Sequence, residues 1–590
     1  MIGAVGIVYG DIGTSPLYTL KECFLHGHLP VEPQAILGVV SLIFWLLVTV
    51  VSVKYVTLIL QADHKGEGGI LALTTLVLRS VPHKRQKSLV VWLGLVGTAL
   101  FYGDGVITPA ISVLAALEGI SVATPSFAHF IMPLSVFLLG ALFLLQKHGT
   151  DRIGGWFGPI MIFWFVLIGV LGLLQILKNP AILAALNPWH ALRFFITYSH
   201  LAAIILGFVV LAVTGVEALY ADIGHFNKRS IRLSWFCLIW PALTLNYFGQ
   251  GALLLENSQA VSNPFYFLVP SWGVYPMVFL ATTTTIIASQ SVISGIFSIS
   301  WQAVQLGYLP RMRVIHTSRL KIGQVYVPLM NYSLLILTIG AVLLFQSSDR
   351  LAAAYGLSIT GIMMITTLLT LILARYHWQW SLLKIISVFS GLILLDFSLL
   401  GSNFIKLLEG GWFSVLIAWA AYLVITTWQQ GRKVLMPVPR FTESLPFFVQ
   451  KIRHASPPRV PGVAVFLGND PEKIPTSFQI AYKHTPILHQ TVFFLCVVTK
   501  DVPKVHTADR LKIIPLGDNI YQMIVFYGFS EVPNIQTLFE KVLNQHLSLN
   551  VEEITFFVTR GRPVVTNSPR LKGWREWLFI FLTRNTTSAT

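Results

Sequence analysis

An acidic residue near the start of the chain lies in a setting that disrupts helices. Asp11 belongs to the run Val8–Tyr18, VYGDIGTSPLY, within an otherwise apolar stretch. A charged side chain at the centre of a bilayer costs about 2.5–3.5 kcal/mol on insertion scales, so its presence there indicates a function. Pro16 has no backbone N–H and leaves the carbonyl of Ile12 without its helical partner. A carboxylate beside free carbonyl oxygens is a site that can bind a dehydrated cation.

A second acidic residue repeats this pattern further along the chain. Asp104 lies in the run Tyr102–Pro109, YGDGVITP, where Pro109 frees the carbonyl of Gly105. Thr108 follows Asp104 by four positions, so a helix would place both side chains on one face. The glycines and the proline predict a second unwound segment, able to face the same ion as the first.

A third acid, Glu217, follows Thr214 and Gly215 in another apolar stretch. Interrupted helices at corresponding positions of inverted repeats mark the binding sites of many transporters. A competing interpretation is that the glycines only let helices pack closely, while the acids pair with Lys54 or with backbone groups. Glu118, nearer the end of its apolar stretch, is a further acid with either role open.

Thr214 and three other polar side chains could line the same cavity. Ser289 and Gln290 lie in an apolar stretch rich in serine and threonine, and Tyr355 lies near the start of another. Serine and threonine in membranes often only form hydrogen bonds between helices. A tyrosine near the end of a span is also typical of the interfacial aromatic belt. The sequence leaves both interpretations open for each of them.

The elements that must position these residues are membrane helices, as the composition indicates. The chain has 590 residues, of which 54% are hydrophobic and only 11% are charged, and its mean hydropathy is +0.70. Soluble domains carry about 25% charged residues, so an ordinary soluble enzyme is excluded. The net charge of +16 fits basic flanks of membrane spans better than binding of nucleic acid, which we do not expect.

Twelve apolar stretches are long enough to cross the hydrocarbon layer, which takes about 20 residues as a helix. They lie near 2–24, 36–60, 89–117, 131–146, 157–177, 201–221, 231–255, 273–305, 327–346, 352–375, 382–400 and 411–430. Lysine and arginine concentrate in the loops that follow the even-numbered stretches. This asymmetry predicts that those loops and both termini are cytoplasmic.

The composition changes after Gln430, and no later stretch is long enough to cross a bilayer. Short strand-like segments alternate there with helix-like ones, which predicts an α/β domain. The segments are Gly462–Leu467, Thr491–Val498, Val532–Gln545 and Glu553–Val558. We therefore expect a transmembrane transport domain over 1–430 and a cytoplasmic C-terminal domain, with its linker, over 431–590.

Several motifs that would indicate another energy source or chemistry are missing from the sequence. There is no P-loop, no aspartyl-phosphate signature and no Thr-Val-Gly-Tyr-Gly filter of potassium channels. We also find no nucleophile–base pair. The one histidine pair with a metal-ligand spacing is His26-x-His28, which we interpret as part of a solvated loop and not as a metal centre. The chain is expected to be neither an enzyme nor the holder of a resident cofactor.

At the level of whole motifs, the sequence resembles the KUP/HAK/KT potassium uptake permeases. The motifs that carry the resemblance are Val8–Tyr18, Lys65–Gly69, Ile107–Ser112, Gly215–Asp222, Asn246–Gly251 and Ile287–Gln290. The resemblance implies potassium uptake coupled to protons in a bacterial inner membrane. It also implies the fold of the amino acid–polyamine–organocation superfamily, with inverted five-helix repeats over about 1–177 and 201–375 and two extra helices over 382–430.

The same resemblance assigns roles to individual residues. It maps the potassium site to Asp11, Tyr18, Asp104 and Thr108, and it marks Glu217 as a position important for transport. We assign the proton to Glu217, with Glu118 as the second choice. Some relatives dimerise through the C-terminal domain or bind cyclic di-AMP there, but no motif in this sequence establishes either partner.

Two other functions remain in competition with potassium–proton symport. A symporter of an amino acid or another organic cation could use the same fold, but it would need room for an apolar body beside Asp11. A potassium channel would need a symmetric filter and would not need several acids at mid-membrane depth. Ion flux measured with and without a proton gradient separates the three.

Overall fold

The computed structural model describes thirteen segments of the chain. They are 2–63, 68–148, 154–221, 223, 227–317, 325–435, 445–468, 470–500, 505–506, 509–528, 554–558, 571 and 573–586. The chain divides into two units. The first comprises Met1–Thr317, Gly323–Gln429 and Thr586–Thr590, and the second comprises Ser318–Ile322 and Gln430–Asn585. Each unit is described by itself.

The first unit is built from apolar helices. Their bounds are α1 (Ile2–Val8), α2 (Gly10–Thr14), α3 (Thr19–Leu25), α4 (Pro33–Leu46), α5 (Ile70–Ser80), α6 (Lys84–Ala123), α7 (Ile131–Leu145), α8 (Gly154–Lys178), α9 (Pro188–Thr197), α10 (Ser199–Val209), α11 (Val216–Ala221), α12 (Lys228–Ser234), α13 (Trp240–Glu256), α14 (Pro264–Phe267), α15 (Val274–Gln305), α16 (Pro328–Phe345), α17 (Ser348–Tyr376), α18 (Leu382–Ile405) and α19 (Trp412–Leu435). The segment Leu47–Leu58 continues α4 as a π-helix. Two short strands, β1 (Ile315–His316) and β2 (Val325–Tyr326), pair antiparallel.

Ten helical stretches of the described chain are long and apolar enough to cross a membrane. They correspond to ten of the twelve predicted spans, so a polytopic helical membrane protein is confirmed. The predicted span at 2–24 consists of short helices, and the one at 231–255 runs through α12, a π-helical segment over Trp235–Ile239, and α13. The count of twelve therefore stays a prediction.

The first predicted span is interrupted where its glycines and proline lie. Tyr9, between α1 and α2, has φ −111° and ψ 13°, and Tyr18, before α3, has φ −131° and ψ −27°. Side chains from other helices donate to the carbonyls that the break leaves free. Trp164 Nε1 lies 2.9 Å from the carbonyl of Gly13, and Gln250 Nε2 lies 3.0 Å from that of Pro16. Donors on α8 and α13 thus stabilise the predicted unwound segment.

The predicted second break, around Asp104, is wrong. Helix α6 continues through Pro109 from Lys84 to Ala123. The glycines beside Asp104 serve close packing instead. A Cβ at Gly103 would lie 2.7 Å from the carbonyl oxygen of Ser414, and one at Gly105 would collide with Ile296. The tertiary contacts therefore explain both glycines without any change of backbone direction.

The chain is interrupted a second time between α10 and α11. A short 3₁₀ turn over Val210–Val213 ends in an extended Thr214, with ψ 151°. Gly215 then adopts φ +86°, a left-handed conformation that side-chain-bearing residues rarely take. Helix α11 begins only at Val216. This is the interruption expected before Glu217.

The second unit contains a five-stranded sheet. Its elements are α20 (Leu445–Ala455), β3 (Arg459–Gly468), α21 (Thr476–His484), β4 (Leu488–Lys500), β5 (Leu511–Gly517), β6 (Ile520–Gly528), β7 (Ile554–Phe557) and α22 (Gly573–Arg584). The strand order is β5-β6-β4-β3-β7, with β5 antiparallel and the other pairs parallel. Strands β3, β4 and β7 fall on the predicted segments. The predicted helix Val532–Gln545 lies outside the described residues.

Candidate functional site

The two acids predicted to share an ion are joined by a chain of hydroxyl groups. Tyr355, on α17, donates to Asp11 Oδ2 at 3.3 Å. Its hydroxyl accepts from Thr108 Oγ1 at 2.7 Å, and Thr108 Oγ1 lies 3.3 Å from Asp104 Oδ1. Asp11 and Asp104 are 3% and 7% exposed. Three separate elements, α2, α6 and α17, thereby bring the two carboxylates to one buried cluster.

One oxygen of Asp11 is buried without a partner. Asp11 Oδ1 accepts no hydrogen bond from the described chain, and neither Asp11 nor Asp104 forms a salt bridge with a described side chain. A buried carboxylate without compensation is costly. The cluster is therefore suited to receive a cation or a proton.

The break between α10 and α11 packs directly on Asp11. A Cβ at Gly215 would lie 2.8 Å from both Cβ and Oδ2 of Asp11. The neighbouring Thr214 hydroxyl lies 3.0 Å from Ser15 Oγ and 3.5 Å from the hydroxyl of Tyr18. The two interrupted helices thus meet at the acid, and Thr214 connects Tyr18 to this side of the cluster.

Glu217 belongs to a different group of contacts. Its Oε1 accepts from the hydroxyl of Tyr55 and, at 3.2 Å, from Thr366 Oγ1. Tyr55 comes from the π-helical segment after α4, and Thr366 lies three turns along α17 from Tyr355. Glu217 is 6% exposed and forms no salt bridge with a described side chain. After Asp11 and Asp104, it is a third buried carboxylate whose side-chain partners among the described residues are hydroxyl groups.

Lys54 pairs with an acid outside both groups. Its Nζ lies 2.7 Å from both carboxylate oxygens of Asp396, on α18, and 3.1 Å from the carbonyl of Met363. Thr367 Oγ1 adds a hydrogen bond of 2.6 Å to Asp396. The salt-bridge partner of Lys54 is therefore Asp396, and Lys54 forms no salt bridge with Asp11, Asp104 or Glu217.

Glu118 lies in an ionic cluster at the end of α6. It pairs with Lys21 at 2.9 Å and accepts from the backbone N–H and the hydroxyl of Ser348 at 2.9 and 2.7 Å. Lys21 also contacts Asp349 at 2.7 Å. Every oxygen of Glu118 has a partner, in contrast to Asp11.

The two predicted lining residues of α15 show no hydrogen bond to the cluster. Ser289 donates to the carbonyl of Thr285 in its own helix, at 2.7 Å. Gln290 Oε1 is buried without a partner in the described chain. Helix α15 packs closely on the first span at Ala288. A Cβ at Gly10 would lie 2.8 Å from the Cα of Ala288. Of the four predicted lining residues, Tyr355 and Thr214 are the two that hydrogen bonds connect to the cluster.

Comparison with known proteins adds two matches that cover most of the chain. The model of the K+ potassium transporter integral membrane domain matches residues 1–433, and that of the K+ potassium transporter C-terminal domain matches residues 461–590. The chain belongs to the K+ potassium transporter family. The resemblance carried by the motif Val8–Tyr18 is thereby confirmed.

Curated relatives of this potassium transporter family align with the whole of this chain and with 90–95% of their own length. The "Probable potassium transport system protein Kup" of Bdellovibrio bacteriovorus is 47% identical over 100% of this chain and 90% of its own. "Probable potassium transport system protein Kup 1" of Paramagnetospirillum magneticum is 46% identical over 100% and 92%. "Probable potassium transport system protein Kup 2" of Chromobacterium violaceum is 45% identical over 100% and 95%.

Sequence reasoning missed the partners of two acids in this family member. Tyr55 and Thr366 hold Glu217, and Asp396 holds Lys54. A signal was present, because Lys54 and Tyr55 are adjacent polar residues within an apolar stretch. Tyr55 pairs with Glu217 on α11, 162 positions away, and Lys54 pairs with Asp396 on α18, 342 positions away. Neither pairing has a local pattern in the sequence.

Proposed function

We infer that this protein carries potassium ions into the cell across the membrane in which it is embedded, and we propose that protons enter with them. Potassium transport follows from the family and from full-length relatives named as potassium transport proteins. The proposal of proton coupling depends on buried carboxylates that have no cationic partner among the described residues. In this interpretation the even-numbered loops and both termini are cytoplasmic, and twelve spans form the inverted-repeat fold.

The observation that carries the ion site is the hydroxyl-bridged pair Asp11 and Asp104. Potassium is a large, weakly hydrated cation that proteins coordinate with several oxygens in place of its water shell. We assign it to Asp11, Tyr18, Asp104 and Thr108, with Tyr355 and Thr214 as further oxygen ligands. The unpartnered Oδ1 of Asp11 supports this assignment, since an ion there would replace the missing donor.

The close packing at Asp11 favours a bare ion over an organic cation. Gly215 leaves no space for even a methyl group beside the carboxylate. An amino acid would require space for its apolar body in contact with the acid that binds its charge. Potassium is therefore the better substrate for this cluster.

Glu217 is the proposed proton carrier. Symport moves both ions in one direction, so the proton needs a group other than the carboxylates that hold potassium. Glu217 is buried, is held by neutral hydroxyl groups, and lies two residues after the glycine that packs on Asp11. Protonation of Glu217 would remove the cost of its buried charge while α11 changes position. Glu118 is the weaker choice, because Lys21 and Ser348 already balance it.

Proton coupling is tested in liposomes that contain the purified protein and a pH-sensitive dye. With a permeant anion present, an inward potassium gradient is expected to acidify the interior in proportion to potassium uptake. Glu217→Gln should flatten the pH dependence of the remaining flux. Potassium uptake without acidification would overturn the coupling and leave potassium transport standing.

The ion site is tested by substitutions that keep shape and remove charge. Asp11→Asn and Asp104→Asn should each abolish rescue of a potassium-uptake-deficient host at limiting potassium. Asp63→Asn is the matched control, because Asp63 pairs with Lys228 at a part-exposed position outside the cluster. Wild-type rescue by both site variants would refute the assignment.

A further inference from the structure

A second group of ligand-type side chains lies apart from the hydroxyl-bridged acids. Glu22 lies within α3, His26 directly follows the last residue of that helix, and Asp349 lies in the first turn of α17. Their donor atoms all lie within 4.8 Å of one another. None of the three takes part in the potassium or proton site proposed above.

The environment of Glu22 indicates that this group lacks a compensating positive charge. Its side chain is fully buried, no described N–H or O–H group makes a well-aligned hydrogen bond to either carboxylate oxygen, and the groups that face it are the imidazole of His26 and a second carboxyl group, that of Asp349. Among the described residues, the imidazole of His26 is the basic group within salt-bridge distance of Glu22. Its Nδ1 lies 3.1 Å from Glu22 Oε2. A buried carboxylate in such a position is unfavourable unless a cation compensates it.

The lysine nearby does not supply that cation. Lys21 Nζ lies 2.7 Å from Asp349 Oδ1 and 2.9 Å from Glu118 Oε2, so two other carboxylates share its charge. A hydrogen bond from lysine to a carboxylate is compatible with that carboxylate binding a metal, since ligands are commonly oriented by an outer partner. Lys21 would hold Asp349 in place in this way.

We propose that Glu22, His26 and Asp349 form a binding site for a divalent transition-metal cation, with Zn²⁺ as the best match and water as the fourth ligand. One imidazole nitrogen with two carboxylate oxygens is a ligand set that zinc accepts and that calcium and magnesium, which prefer oxygen alone, do not. The His26 side chain is 42% exposed, which gives the ion and its water a route of entry.

A metal ion in this position would link two elements. Glu22 and His26 come from α3 and the residue directly after it, and Asp349 comes from α17, which carries Tyr355. Binding would therefore fix the end of α3 to the start of α17. A ligand that binds only the folded arrangement raises the unfolding temperature, so the link is measurable without any transport assay.

The test uses the full-length protein, purified in detergent and freed of metal, with Zn²⁺ or Co²⁺ added alone. His26→Asn removes the exposed ligand and is compared with His28→Asn, an exposed histidine of the same turn that lies outside the group. Asparagine also tolerates the left-handed backbone at His28, φ 49°. His26→Asn also removes the contact of His26 with the buried Glu22, so the effect of zinc on each variant is measured against the unfolding temperature of the same variant without metal.

The wild type and His28→Asn are expected to bind one Zn²⁺, to unfold at a higher temperature with it, and to show the visible absorption of four-coordinate Co²⁺. His26→Asn should bind at least about tenfold more weakly, because loss even of an outer partner costs about 10–100-fold in affinity. Equal zinc binding by the two variants, or no binding by the wild type, would overturn the site and leave an ordinary His26–Glu22 ion pair. Neither result bears on potassium transport.

Discussion

The hydroxyl of Tyr355 can be removed without changing the shape of the cluster. Tyr355→Phe deletes the donor to Asp11 Oδ2 at 3.3 Å and the acceptor for Thr108 at 2.7 Å. The ring stays, so the packing of α17 is preserved. If Tyr355 helps to bind potassium, this substitution should weaken the apparent affinity for the ion.

The size of the effect follows from the two contacts. A hydrogen bond to a charged group contributes about 1.5–3 kcal/mol. Thr108 keeps Asp104 as an alternative acceptor, at 3.3 Å to Oδ1 and 3.0 Å to the carbonyl, so the loss falls mainly on Asp11. We therefore expect about 1–2 kcal/mol, which corresponds to a rise of about 5–30-fold in the half-saturating potassium concentration.

The assay is initial uptake of rubidium or potassium by cells or liposomes across a range of concentrations, normalised to the amount of protein in the membrane. Tyr376→Phe is the matched control, since Tyr376 lies at the other end of the same helix and its hydroxyl accepts from Gln86 at 3.0 Å. That variant should keep the wild-type concentration dependence. An unchanged half-saturating concentration in Tyr355→Phe would refute the role of the hydroxyl.

Three further predictions follow from other contacts. Gly215→Ala should abolish uptake while the protein still reaches the membrane, because the added methyl group meets Asp11 and φ +86° costs about 1–2 kcal/mol for other residues. Asp396→Ala should destabilise the protein by about 3–5 kcal/mol in thermal unfolding, because it leaves Lys54 buried and unpaired. The Cys496 thiol should react with maleimide far more slowly in the native domain than in urea, because burial raises its pKa and the thiolate is the reactive form.

Each of these predictions has a matched comparison. Gly140→Ala controls for the first, since nothing lies within 4 Å of a Cβ at Gly140. The double variant Lys54→Met with Asp396→Leu should recover most of the stability, and a single Asp396→Ala variant as stable as the wild type would contradict the second. The labelling experiment on Cys496 uses a variant in which Cys23 and Cys237 are replaced by alanine. Equal rates of reaction with maleimide in the native protein and in urea would contradict the third prediction.

The parts of the structure that could be predicted depend on local chemistry. Glycine and proline around Asp11, and glycine before Glu217, identify the two interruptions, because the backbone effects of these residues act within a few positions. The same residues around Asp104 misled the prediction of a break. Gly103 has its role through Ser414 and Ser358, and contacts with such distant parts of the sequence are not visible locally.

Pairing of the buried charges could not be derived from the sequence. Lys54 is 342 positions from Asp396, and nothing in its neighbourhood distinguishes that acid from Glu217. Similarly, the position of Tyr355 in the sequence agreed equally well with the interfacial aromatic belt and with a role in the site. Hydropathy indicates how deep a residue lies in the membrane but not the direction of its side chain. The hydrogen bonds of Tyr355 with Asp11 on α2 and with Thr108 on α6 separate these possibilities.

The pair formed by Lys54 and Asp396 has an electrical consequence. A bound ammonium and carboxylate together carry no net charge, so moving them as a unit through the membrane field requires almost no work. A lone charge would exchange about 2.3 kcal/mol with the field for each 100 mV that it crosses. Voltage dependence of the transport cycle is then expected from the carried ions and from the other buried charges, among them Asp11, Asp104 and Glu217. Helices α4 and α18 can shift together without a gating current of their own.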